Sequence, residues 1–175
     1  MRMTKKLTLS AMLVALGVVF MLLGSYVQLL DLTVCALVSL LVAFACIEIG
    51  TPFNWLVWIA TSVLTLLIPL ESRMIGLIYF MIFGIYPILK GYIERAPRTL
   101  WYVFKLVFIN SVLVALSFAF ELLFKQPLVM IDNKVFVVLV YLVMNVAFIA
   151  YDMFITVMVR LYFAKFRNRI KNLLK

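Results

Sequence analysis

The sequence predicts an all-α integral membrane protein, a bundle of six transmembrane helices, and three observations lead there. Hydrophobic residues make up 67% of the 175 and charged residues 13%, about half the ~25% charged share of soluble domains. The mean hydropathy is +1.21, and a chain this short has too little interior to hide that much apolar surface from water. Six apolar stretches approach the ~20 residues that cross the hydrocarbon layer, and Lys and Arg gather at one set of helix ends.

The first span, 7–27, follows the basic start Met1-Arg-Met-Thr-Lys-Lys6. It outruns the apolar core of a signal peptide and lacks a small-residue cleavage site where one is expected, so it reads as a retained helix. It ends near Gln28 and Asp31. The second, 32–49, closes at Glu48, Gly50, Thr51 and Pro52. Cys35 and Cys46 fall within it; eleven residues of helix separate them by roughly 16 Å, too far for a disulfide, and they read as small apolar packers. The third span, 53–70, ends at Pro69 and Glu71. The fourth, 74–88, starts after Arg73 and runs through an aromatic stretch to Pro87, which should bend or end it. The fifth is 100–124. The sixth, 135–160, continues into a tail, 161–175, that interleaves aromatic and basic residues. Such a tail suits the inner membrane surface or a cytoplasmic partner. Loops are short and no linker or repeat interrupts the chain, so residues 1–175 read as a single domain.

Orientation follows from the cations, because cytoplasmic loops hold the excess of Lys and Arg. With both termini inside, 13 of the 16 basic residues lie on the cytoplasmic side, and only Arg73, Lys125 and Lys134 face outward. The +9 net charge is then a basic rim beside anionic lipid rather than a nucleic-acid surface.

Polar residues within or beside the spans form two sets. Gln28, Asp31, Glu71 and Arg73 make a collar at the outward ends of the first four helices, with Glu121 near the outward end of the fifth. Glu121 and Lys125, four apart, share a helix face and can pair. The collar is either ordinary interfacial polarity or the polar rim of a small pocket over an apolar floor. With Asp31 and Glu71 in that pocket, a cationic or amine-bearing ligand is favoured; Arg73 suits a carboxylate. Deeper, toward the cytoplasm, lie Glu48, Lys105 and Asp152. Matching depth allows Lys105 and Asp152 to meet, as a staple between helices or as a coupling element that senses a partner or a proton. Asn110 and Asn145 are placed to bond across helices.

Catalytic motifs are scarce. The chain has no histidine, no Cys/His metal set, no phosphate-cradling glycine loop and no carboxylate pair at short spacing on one helix face. No catalytic residue, metal or cofactor is assigned, and the expectation is a protein that is not an enzyme.

The stretch Leu7-Thr-Leu-Ser-Ala-Met-Leu-Val-Ala-Leu-Gly17 sets Ala11 and Ala15 four apart, with Ser10 and Gly17 beside them. Small residues at that spacing leave a groove for another helix. With six helices and both ends inside, the chain resembles the substrate-binding S components of energy-coupling factor (ECF) transporters. In that family a small six-helix protein captures a vitamin or metal-related nutrient at the outer face of the bacterial cell membrane. The resemblance implies a shared energising module, a transmembrane T subunit and two ATPases, with Ala11 and Ala15 packing against the T subunit. In motif it covers the first 20 residues. Many S components carry Gly- and Asp-rich stretches around the middle helices, whereas this chain has IEIGTPFNW (47–55) and FGIYPILKGYIER (83–95). Two other readings share this topology. One is a scaffold similar to the six-helix proteins of bacterial cell-shape machinery; the other is a membrane-embedded lipid-modifying enzyme, in which Glu48, Lys105 and Asp152 would converge on a cavity.

Overall fold

The computed structural model describes residues 3–26, 31–68, 73–124 and 134–166, and every regular element among them is helical. In chain order these are α1 (Met3–Tyr26), α2 (Asp31–Glu48), α3 (Phe53–Leu67), α4 (Arg73–Ile78), a π-helical segment (Tyr79–Phe83), α5 (Tyr86–Ile93), α6 (Arg98–Phe124) and α7 (Lys134–Leu161), followed by a second π-helical segment (Tyr162–Phe166). Among the described residues, five helical stretches are long and apolar enough to cross a membrane, the combined run Ile75–Ile93 being one of them. The expected third span is the shorter α3, whose 15 residues reach only about 22 Å.

Pro87 does not end the fourth span. Ile75–Ile93 continues past it, because the irregularity lies one turn earlier. There the Gly84 amide bonds the Tyr79 carbonyl at 2.7 Å and closes the π turn. Pro87 occupies the second position of α5. In a helix's first turn an amide has no partner within the helix, so a residue lacking one is tolerated there.

The chain divides into two compact units, Met1–Tyr92 with Ile155–Lys175, and Ile93–Phe154. In the first, α1 packs on α2 and α3 around Leu13, Met21, Val38, Val42, Val57 and Trp58. Its close approach depends on glycine. A Cβ on Gly17 would stand 3.2 Å from both Thr61 and Val38, and one on Gly24 would stand 2.7 Å from Val34. Gly50, at φ +77°, takes the left-handed turn that glycine adopts without strain. There its amide and that of Ile49 both bond the Ala45 carbonyl at 3.0 Å and close α2. Cys35 and Cys46 are both free thiols on α2. In the second unit α6 and α7 run antiparallel: Lys105 meets Asp152, Asn110 meets Asn145 and Ser117 meets Tyr141.

Candidate functional site

On α1 the small residues divide between two faces. Ser10, Gly17 and Gly24 are buried with Leu13 and Met21, the three- and four-residue spacing of one helical stripe. Ala11 and Ala15 are exposed, about 140° around the helix from the middle of that stripe. The sequence set Ala11 and Ala15 along one groove with Ser10 and Gly17 beside them. The structure uses Ser10 and Gly17 within the chain and leaves Ala11 and Ala15 on an outer face with Met12, Leu16 and Val19, which are also exposed.

The outer collar is described only in part. Gln28 and Glu71 lie outside the described residues, as does Lys125, the expected mate of Glu121. Arg73 begins α4, and its side chain is not among those described. Asp31 begins α2 in the first unit, with Oδ1 buried and without a hydrogen-bond partner. Glu121 is exposed on α6 in the second unit. Asp31 and Glu121 are thus the two collar side chains that the structure describes, one in each unit.

The deeper polar residues are joined in pairs. Lys105 Nζ lies 2.7 Å from Asp152 Oδ2 and 3.7 Å from Glu94 Oε1, and 5.9 Å from the centre of the Trp101 ring. The Trp101 indole donates to the Ala96 carbonyl at 2.6 Å. This cation is therefore shared by two carboxylates and an aromatic face, an arrangement that fixes the start of α6 against α7. Asn110 and Asn145 exchange amide bonds at 3.2 and 3.3 Å. Each also donates to the carbonyl four residues before it, Leu106 at 2.8 Å and Tyr141 at 2.9 Å. Glu48 belongs to the other unit, where it accepts the Tyr162 hydroxyl at 2.9 Å. Phe44, one turn before Glu48, meets the Tyr162 ring edge to face at 5.6 Å.

The first unit also holds a buried polar stripe that hydropathy alone does not reveal. Cys35 and Ser39 of α2, and Thr61, Ser62 and Thr65 of α3, are all at most 2% exposed, and Tyr79 is fully buried. Their spacing by three and four was the available signal. Serine, threonine and cysteine hide easily in a transmembrane helix, because each can bond back to its own backbone. Ser39 does so to Ala36 at 2.6 Å and Thr65 to Thr61 at 2.9 Å.

The chain matches none of the family models, curated proteins or solved structures with which it was compared.

Proposed function

We propose that this chain is the membrane substrate-binding subunit of a bacterial importer similar to ECF transporters. It crosses the cell membrane six times, holds both termini in the cytoplasm and captures a small, vitamin-like nutrient at the outer face. It performs no chemistry on that nutrient, and uptake is driven by two partner ATPases through a transmembrane T subunit. The observation that carries the reading is the free face of α1. Ser10, Gly17 and Gly24 are taken up by packing inside the chain, while Ala11 and Ala15 stay exposed. Small residues facing outward in a bilayer leave room for a second helix to approach closely. The bias of cations toward one side supports the orientation, and the outward Asp31 supports a ligand end opposite the basic rim.

The test is affinity purification of the tagged chain from its native host in mild detergent, with co-purifying proteins identified by mass spectrometry. A transmembrane partner with two ATPases is the expected outcome. Recovery of cell-shape or envelope proteins without an ATPase would move the assignment to a scaffold.

A further inference from the structure

Asn110 and Ser111 stand at the middle of α6, within the apolar stretch Leu100–Ala119. Both are exposed, at a depth where a bilayer holds no water to bond them. Polar side chains at that depth normally face other helices rather than lipid. The exchange between Asn110 and Asn145 occupies their donors. The Asn110 amide reaches Asn145 Oδ1 and the Leu106 carbonyl, and the Asn145 amide reaches Asn110 Oδ1 and the Tyr141 carbonyl. Each side-chain oxygen accepts one of these bonds and carries a second lone pair. The pair therefore presents acceptors and no donor to its surroundings. Ser111 brings a donor, a hydroxyl that turns to suit its acceptor. Adjacent residues of a helix do not face each other, so this hydroxyl points away from Asn110 of its own helix.

Val107 and Val114, seven apart, are 58% and 48% exposed. At about 100° per residue they lie midway around the helix between Asn110 and Ser111. That layout is complementary to itself under one symmetry. A second copy crossing the membrane in the same sense, related by a two-fold axis along the membrane normal, sets Val107 and Val114 against their own counterparts. Ser111 of each α6 then stands beside Asn110 of the other, on both sides of the seam. The two residues differ in level by only about 1.5 Å. Each hydroxyl meets an acceptor and each Asn110 oxygen meets a donor. Lipid chains supply neither, and an unrelated helix would need a donor and an acceptor at this same depth. A second copy carries both.

We infer that this chain forms a parallel homodimer through the exposed face of α6, in which the Ser111 hydroxyl of each copy donates to the Asn110 side-chain oxygen of the other. The inference involves none of the α1 residues invoked for uptake and stands independently of that reading.

The test is sedimentation equilibrium of the full chain in density-matched detergent under reducing conditions, which reads the monomer–dimer constant. Wild type should dimerise. Ser111→Ala removes both donors between the copies and leaves the Asn110–Asn145 exchange in place. It should weaken the dimer about sevenfold, as expected for two bonds at the ~0.6 kcal/mol mean for polar pairs between membrane helices. Ser111→Thr keeps the hydroxyl and should keep the dimer. Oxidative cross-linking in native membranes places the seam. In a Cys35→Ala/Cys46→Ala background, Val114→Cys should give a disulfide-linked dimer. Tyr102→Cys should not, because Tyr102 is exposed on α6 about 130° around the helix from the seam. A monomer at every concentration, a dimer that Ser111→Ala leaves unchanged, equal bridging from both positions, or a Val114→Cys bridge to a different protein would each overturn the inference.

Discussion

In the first unit α1 lies against α2 and α3 because Gly17 and Gly24 leave no side chain between the helices. In the second, α6 and α7 are joined by Lys105–Asp152, Asn110–Asn145 and Ser117–Tyr141. Lipid is as apolar as leucine, so burying leucine gives two membrane helices little reason to associate. Close packing of small residues and hydrogen bonds across the interface remain, and each unit relies chiefly on one of these. The two units are therefore vulnerable in opposite ways, the first to added volume and the second to lost polarity.

The largest effect should come from added volume at Gly84. A Gly84→Ala Cβ would stand 2.8 Å from the Trp58 indole nitrogen and 3.1 Å from Tyr79 Cζ, and neither ring can swing away from a filled core. Overpacking of this kind costs about 3 kcal/mol, and it outweighs the ~1 kcal/mol that alanine gains over glycine in a helix. Unfolding in detergent followed by circular dichroism would show the lowered midpoint; an unchanged midpoint would mean that this contact is not tight.

Lost polarity should come next. The Lys105 and Asp152 side chains are only 12% and 16% exposed, so Lys105→Met leaves a largely buried carboxylate without its nearest cation. That costs about 3 kcal/mol, and Lys105→Met/Asp152→Leu should recover most of it. Tryptophan fluorescence localises the damage, since Trp101 adjoins Lys105 while Trp55 and Trp58 belong to the first unit. Only the Trp101 signal should change. A change at Trp55 or Trp58 would show that the units do not respond separately.

Gly24→Ala returns to the first mechanism, because its Cβ would meet the Cβ and both methyls of Val34, a single residue on the facing helix, at 2.7–2.9 Å. We expect a loss of about 1–2 kcal/mol, repaired in part by Val34→Ala, which removes the two methyls and leaves the Val34 Cβ in place; a loss that Val34→Ala leaves wholly intact would place the strain elsewhere. Asn110→Leu should be mildest, at ~0.6 kcal/mol, the mean for polar pairs between membrane helices. A denaturant titration showing several times that loss would make the asparagine pair a main fastening of α6 to α7.

Much of the fold was legible because a bilayer demands long apolar stretches, and α1, α2, α6 and α7 lie close to where hydropathy put them. The break between α4 and α5 was not. Tyr-Phe-Met-Ile-Phe has nothing that distinguishes a π turn from an α turn, whereas Pro87 is a conspicuous signal that proved compatible with a helix start. Depth along the helices sufficed to set Lys105 and Asp152 level with one another. Rotation was harder to read. Ser10 and Gly17 are seven apart and share a stripe, and Ala11 and Ala15 form a second one. Only the packing of α1 on its neighbours reveals which stripe stays inside. The hydroxyls of Ser62 and Tyr79 escaped notice because neutral polar side chains scarcely alter the hydropathy of a span.

Cross-linking from the free face of α1 would show which helix lies against it in the membrane. Ala15→Cys, made together with Cys46→Ala because Cys46 is only half-buried, places a thiol on that face, while the native Cys35 is buried within the chain. A short thiol-reactive cross-linker applied in native membranes should join position 15 to a transmembrane subunit that co-purifies with two ATPases. The companion Ala11→Trp variant should abolish the adduct and change stability by less than about 0.5 kcal/mol, as expected for an exposed position. Cross-links confined to copies of this chain, or ATPase association that survives the filled face, would contradict the account.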